Sequence, residues 1–389
     1  MELLEIALLM LVAKILEEVM VRRGALPLLG WTLAGIFLGP AVLSIVTLSS
    51  ELIFLTNIGV YLLFFMVGLD EVSAKDMASS LNLKHIMAQV ISTVAVVLST
   101  YLIGLNIGLS VLESISLSIL ISLPTTSVVV KSLSDTNSLK TDAGTATFYY
   151  VFIGEVIGLF MASTLLELGN LKQVTLGYIA LQISRVFLYF IFMWLVNAFL
   201  VTRLVKIMRL HISSEGTQIG VVLALMFIFV SLSEVLGLHG VMGAFILGLF
   251  LSNTLIKDFS GRSLQALRRV GDGVLIPLFF ASIGLRFGWD FIYQDLLMLL
   301  TLALLLIPYR MITHYLVLKT LKAQHTKEIS VSMLARGGVD LVILVTLFQR
   351  DFIGSAIHSL TIIMSILSLF IYPLIIRKSF RKVDTSALT

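Results

Sequence analysis

The segment Phe148–Phe160, FYYVFIGEVIGLF, carries a single carboxylate, Glu155, among residues built to avoid water. A carboxylate facing lipid at that depth costs several kcal/mol, so Glu155 must face protein or a water-filled cavity. Its neighbours Gly154 and Gly158 have no side chains and open that side of the helix to close approach by another backbone. Two roles fit such a residue: an ion pair that only holds helices together, or a site that alternates between a proton and a metal cation. The second is the expected role, with the transported monovalent cation as the metal bound at Glu155.

The other charges inside apolar stretches divide by chemistry. Arg310, in LLLIPYRMITHYL, is a fixed positive charge, because a guanidinium keeps its proton at physiological pH. It is a candidate partner or counter-charge for Glu155. Arg336 and Asp340 lie four positions apart, on one face if the helix is continuous, and are expected to pair with each other or to cap half-helix ends. Glu234 and His239 flank a short outer turn, and His314 and His358 lie near span interiors, where a hydrogen-bonded histidine is expected before a proton relay. Packing or interfacial snorkelling accounts for Lys14, Glu17, Glu18 and Arg185.

These residues need a frame, and composition defines it. With 389 residues, 58% of them hydrophobic and only 13% charged, and a mean hydropathy of +1.04, the chain is too apolar for a soluble protein of its size. The apolar runs reach about 20 residues, the length of a membrane helix and about twice that of a barrel strand. A polytopic all-α membrane protein is therefore expected. The start, MELLEIALLM, has Glu2 and Glu5 where a signal peptide carries basic residues, so it is read as a retained first helix. With no cysteine, disulfides and thiolate metal sites are excluded.

Hydropathy divides the chain into thirteen spans: 3–21, 26–47, 52–70, 84–108, 114–134, 145–166, 174–202, 217–236, 238–256, 270–287, 293–318, 328–349 and 357–377. With the N-terminus outside, twenty of the 27 basic residues fall on the cytoplasmic side, and only Lys172, Arg286 and Arg350 on the other. That bias follows the positive-inside rule and places the C-terminus in the cytoplasm.

The chain also repeats. PLLGWTLAGIFLGP (27–40) precedes LLFFMVGLD (62–70), and LHGVMGAFILGLFL (238–251) precedes PLFFASIGLRF (277–287). An odd number of spans separates the two sets, so they would cross the membrane in opposite senses, as in inverted-repeat transporters. The expected organisation is one membrane transport domain over 1–389. It has a first repeat at about 26–166, a linker helix at about 174–202 and a second repeat at about 217–377. Each repeat holds an interruption. In the first, Pro124 removes a backbone donor while Thr125 and Thr126 can satisfy freed carbonyls; in the second, Gly337 and Gly338 loosen the helix. Paired breaks create half-helix ends at mid-membrane, where ions bind.

The segments GWTLAGIFLGP, LLFFMVGL, PTTSVVV, GAFILGLFLS, PLFFASIGL and MLARGGVDLVIL resemble the membrane domain of monovalent cation/proton antiporters of the Kef/NapA-like branch, over about residues 10–377. The resemblance implies an antiporter fold with crossed broken helices, a homodimer embedded in lipid, and a core that moves like an elevator. It puts the family's acidic ion-binding residue at Glu155, its basic residue at Arg310 and its unwound crossing at Thr125, Thr126, Arg336, Gly337 and Gly338. This chain departs in having Glu at the acidic position and Gly154 before it, where the family has Asp, Asn or Gln. Kef-type systems continue into a nucleotide-binding domain; after RKSFRKVDTSALT none is expected here.

The function expected is proton exchange for Na⁺ or K⁺, with no enzymatic activity, cofactor or nucleic-acid partner. The alternatives are the pore subunit of a gated potassium efflux system and a non-transporting membrane sensor or scaffold.

Overall fold

The computed structural model describes residues 2–23, 25–71, 83–136, 138–139, 141–168, 184, 188–189, 191–196, 198–199, 203, 214–236, 240–258, 261–289 and 296–386. The regular elements among them are all helical: α1 (Glu2–Arg22), α2 (Pro27–Leu38), α3 (Ser50–Glu71), α4 (Leu83–Asn106), α5 (Val111–Ser122), α6 (Thr126–Asp135) and α7 (Asp142–Leu168) in the first part. The second part holds α8 (Glu215–Val235), α9 (Gly240–Asp258), α10 (Gly261–Val270), a π turn at Gly271–Leu275, α11 (Ile276–Leu285), α12 (Leu296–Leu304), a π turn at Leu305–Tyr309, α13 (Arg310–Thr320), α14 (Thr326–Ser332), α15 (Val339–Gln349) and α16 (Ser355–Ser386). The span expected at 174–202, with Arg185, lies largely outside the described residues, as does His239.

Among the described residues, five stretches are long and apolar enough to cross a bilayer: Leu83–Asn106, Asp142–Leu166, Glu215–Val235, Leu297–Thr320 and Ser355–Ile376. Several other expected spans are shorter, for local reasons. The helix expected over 26–47 stops at Leu38, because Gly39 is extended (φ −77°, ψ −178°) ahead of Pro40. The spans 114–134 and 328–349 are each two half-helices.

The chain forms two compact units. One comprises Met1–Leu48, Ser79–Ala162 and Phe280–Thr389; the other comprises Ser49–Ala78 and Ser163–Phe279. In the first, α1 packs on α2, where the Glu17 carboxylate accepts from Trp31 Nε1 at 2.8 Å and from Lys14 Nζ at 2.7 Å. Around it a core gathers Leu29, Val128, Tyr150, Ile329, Met333 and Tyr372, all essentially inaccessible.

The repeated blocks meet reciprocally. In the first unit a side chain at Gly35 would strike the Ala281 carbonyl, and one at Gly284 would strike the Thr32 carbonyl. In the second, Gly68 faces the Phe245 carbonyl and Gly248 the Phe65 carbonyl. Glycine at these positions lets backbones touch.

Candidate functional site

The site lies within the first unit, at two interruptions whose causes are local. α5 starts on a capping box, in which the Ser110 hydroxyl accepts from Glu113 N and the Glu113 carboxylate accepts from Ser110 N. It ends at Ser122 because Pro124 drives Leu123 out of helical geometry (φ −69°, ψ 112°). The chain resumes as α6 at Thr126, whose backbone N–H has no intrahelical acceptor. That N–H donates to Glu155 Oε2 at 3.1 Å. The carboxylate from the middle of α7 thus closes the positive end of a half-helix, a favourable position for an anion.

The second interruption separates α14 from α15. Gly337 has φ +106°, a conformation that side-chain-bearing residues resist, and with Gly338 it turns the chain into the start of α15. Asp340 holds this turn. Its Oδ1 accepts from Gly337 N and Gly338 N, each at 3.0 Å, and from Thr125 Oγ1 at 2.9 Å; its Oδ2 lies 3.3 Å from Arg336 Nη1. One fully buried carboxylate therefore ties the two breaks together. Of the two expected roles of Arg336 and Asp340, pairing is seen, and Asp340 also accepts from the amides of the turn that leads into α15. Arg336 also donates Nε to the Leu306 carbonyl at 2.6 Å, within the π turn that contains Pro308.

Arg310 serves the opposite ends. It donates to the carbonyls of Met333 (2.8 Å) and Ala335 (2.8 Å) past the end of α14, and to those of Ile121 (3.3 Å) and Leu123 at the end of α5. A guanidinium is thus set against the negative ends of two half-helices. Of the two expected roles, partner or counter-charge of Glu155, direct pairing is not found among the described residues, where the hydrogen bonds of Arg310 go to backbone carbonyls. Their pull comes from freed C-terminal carbonyls, a demand that side-chain identity does not display.

Glu155 is 5% exposed and forms no ion pair among the described residues. The two glycines beside it make room for the first break: a side chain at Gly158 would meet Leu123, and one at Gly154 would meet Pro124 and Gln89. The structure thus brings Pro124, Thr125 and Thr126 together with Glu155 and Asp340, sets Arg336, Gly337 and Gly338 at the same junction, and holds Arg310 behind it on the carbonyl ends.

The remaining buried polar residues vary. His314 Nδ1 lies 2.8 Å from the Tyr150 hydroxyl, whereas His358 stacks on Phe348 at 4.1 Å and neither of its ring nitrogens has a hydrogen-bond partner among the described residues. The hydrogen-bonded histidine expected at 358 is therefore not found. Glu234 is exposed and accepts from Tyr61 at 3.2 Å in the second unit. Sequence reasoning passed over Gln89. Its signal is the polar stripe His85, Gln89, Ser92, Thr93 and Thr100 on one side of an otherwise apolar span, all of it buried.

Half-helix ends that meet beside a buried acid define a membrane transporter. The chain belongs to the sodium/hydrogen exchanger family, whose transmembrane profile matches residues 7–382. It is 28% identical to a probable Na⁺/H⁺ antiporter, GerT, of Bacillus cereus, over 87% of this chain and 88% of that one. It is 25% identical to the Na⁺/H⁺-K⁺ antiporter GerN of the same organism, over 98% and 96%, and 26% identical to an Na⁺/H⁺ antiporter of Enterococcus hirae, over 98% and 99%. Its fold matches that of the sodium proton antiporter MjNhaP1 of Methanocaldococcus jannaschii, with a TM-score of 0.71 at 15% identity, over 98% of both chains.

Proposed function

We propose that this integral membrane protein exchanges protons for Na⁺ or K⁺ at Glu155. One observation carries the reading: Glu155 is a buried carboxylate at the junction of the broken helices whose hydrogen bond comes from a backbone amide, with no basic side chain among the described residues to neutralise it. It therefore remains available to a proton or a cation, one at a time. Thr125 and Thr126 complete the ion-facing side of the first break. Asp340, Arg336 and Arg310 keep the half-helices in register. The N-terminus lies outside and the C-terminus inside, on the charge bias of the loops. The resemblance to Kef/NapA-like antiporters supports inverted repeats at about 26–166 and 217–377, a linker at about 174–202, and a homodimer in lipid with elevator movement.

Stoichiometry follows from charge. Arg310 and Arg336 keep their protons through the cycle, and Asp340 is engaged by four donors. Glu155 is the acid left to load, and its charge is the same with a proton or a monovalent cation bound. Exchange is expected to be one-for-one and electroneutral. In proteoliposomes clamped by a valinomycin potassium gradient, pH-driven sodium exchange should be insensitive to voltage. Clear acceleration by membrane potential would show that more than one proton moves per cation, and absence of pH-driven exchange of either Na⁺ or K⁺ would overturn the function itself.

A further inference from the structure

Gln89 is fully buried in the middle of α4's polar stripe. Its Nε2 donates to Thr93 Oγ1 at 3.1 Å, while its Oε1 has no donor among the described residues. An unsatisfied buried acceptor of this kind costs stability, and a leucine or methionine would fill the same space without that cost. The place it occupies is specific. A Cβ on Gly154 would strike Gln89 Nε2 and lie 2.9 Å from Gln89 Cδ and 2.9 Å from Pro124 Cγ, so the carboxamide and the proline that breaks α5 both border the residue that precedes Glu155. The neighbouring contact, His85 edge-on to Tyr150 at 6.4 Å, lies four residues earlier on both helices. The two helices thus run parallel here, and the amide is aligned with the Glu155 turn of α7.

We infer that Gln89 supplies a neutral oxygen ligand to the cation that Glu155 binds, an inference that rests on the reading of Glu155 as the loading site. Hard alkali cations are held by several oxygens, and neutral carbonyl oxygens serve where water has been stripped away. Glu155 alone provides charge but few ligands. A carboxamide adds a ligand without adding a charge, so it contributes to cation affinity and selectivity and leaves the one-for-one stoichiometry intact. Gly154 is part of the same device, because any side chain there would displace the amide.

The test uses the full chain in proteoliposomes with Na⁺ and K⁺ measured separately. Gln89→Leu is expected to raise the apparent KM for the preferred cation about tenfold, the equivalent of one lost neutral ligand. The effect should fall on KM and not on maximal rate, and the Na⁺/K⁺ ratio should change. Gln89→Glu keeps the shape and the oxygens, so it should restore cation affinity and, as a second titratable acid at the site, make exchange voltage-sensitive. A Gln89→Leu protein with wild-type KM and ion ratio overturns the inference. If that variant does not fold, a Gln89→Glu protein whose exchange stays insensitive to voltage overturns it equally. Glu155→Gln separates the two ideas: if it is inactive while Gln89→Leu behaves as wild type, only the Gln89 ligand is lost, whereas an active Glu155→Gln removes the loading site itself.

Discussion

Glu155→Gln is expected to abolish cation/proton exchange and to leave the protein folded. The amide has the same shape, and its oxygen can still accept from Thr126 N, so the end of α6 stays capped. What disappears is the charge that attracts a cation and the oxygen that takes a proton. Because Glu155 has no basic partner among the described residues, its neutralisation leaves no buried counter-charge stranded, and thermal unfolding in detergent should be close to wild type. Residual exchange near the wild-type rate in a well-folded variant would remove Glu155 from the mechanism.

Asp340 should behave in the opposite way, with stability affected first. Asp340→Ala deletes the acceptor of Thr125 Oγ1, Gly337 N and Gly338 N and leaves the Arg336 guanidinium without its carboxylate. Removing one partner of a buried ion pair costs about 3–5 kcal/mol. Here the loss falls on the contact that joins the two breaks, so exchange should disappear together with thermal stability. Asp340→Asn keeps an acceptor oxygen for the three uncharged donors and should recover part of the stability. An Asp340→Ala protein that melts with the wild type would show that the breaks are held by something else.

The legible parts of the sequence were those whose cause is local. Pro124 removes a donor and constrains Leu123, and adjacent glycines at 337 and 338 permit the positive φ that starts α15. Both breaks could be read from residue type alone. The same chemistry stood at Gly39–Pro40, but the apolar run beyond it outweighed the turn signal, and the expected helix came out too long. Arg310 is legible as a buried fixed charge, but the groups it binds are not. Its acceptors are carbonyls of residues 121, 123, 333 and 335, and a freed carbonyl carries no mark in the sequence. Gln89 was missed for a related reason: one amide in an apolar helix looks like tolerance until the glycine opposite it is known.

The account turns on one carboxylate serving two ions, and competition is its signature. The measurement is the apparent KM for sodium, or for potassium if that is the accepted ion, in wild-type proteoliposomes across a range of pH. A proton on Glu155 excludes the cation, so KM should rise as pH falls while the maximal rate stays nearly constant. A KM that does not change with pH, accompanied by a maximal rate that titrates, would contradict a shared site at Glu155.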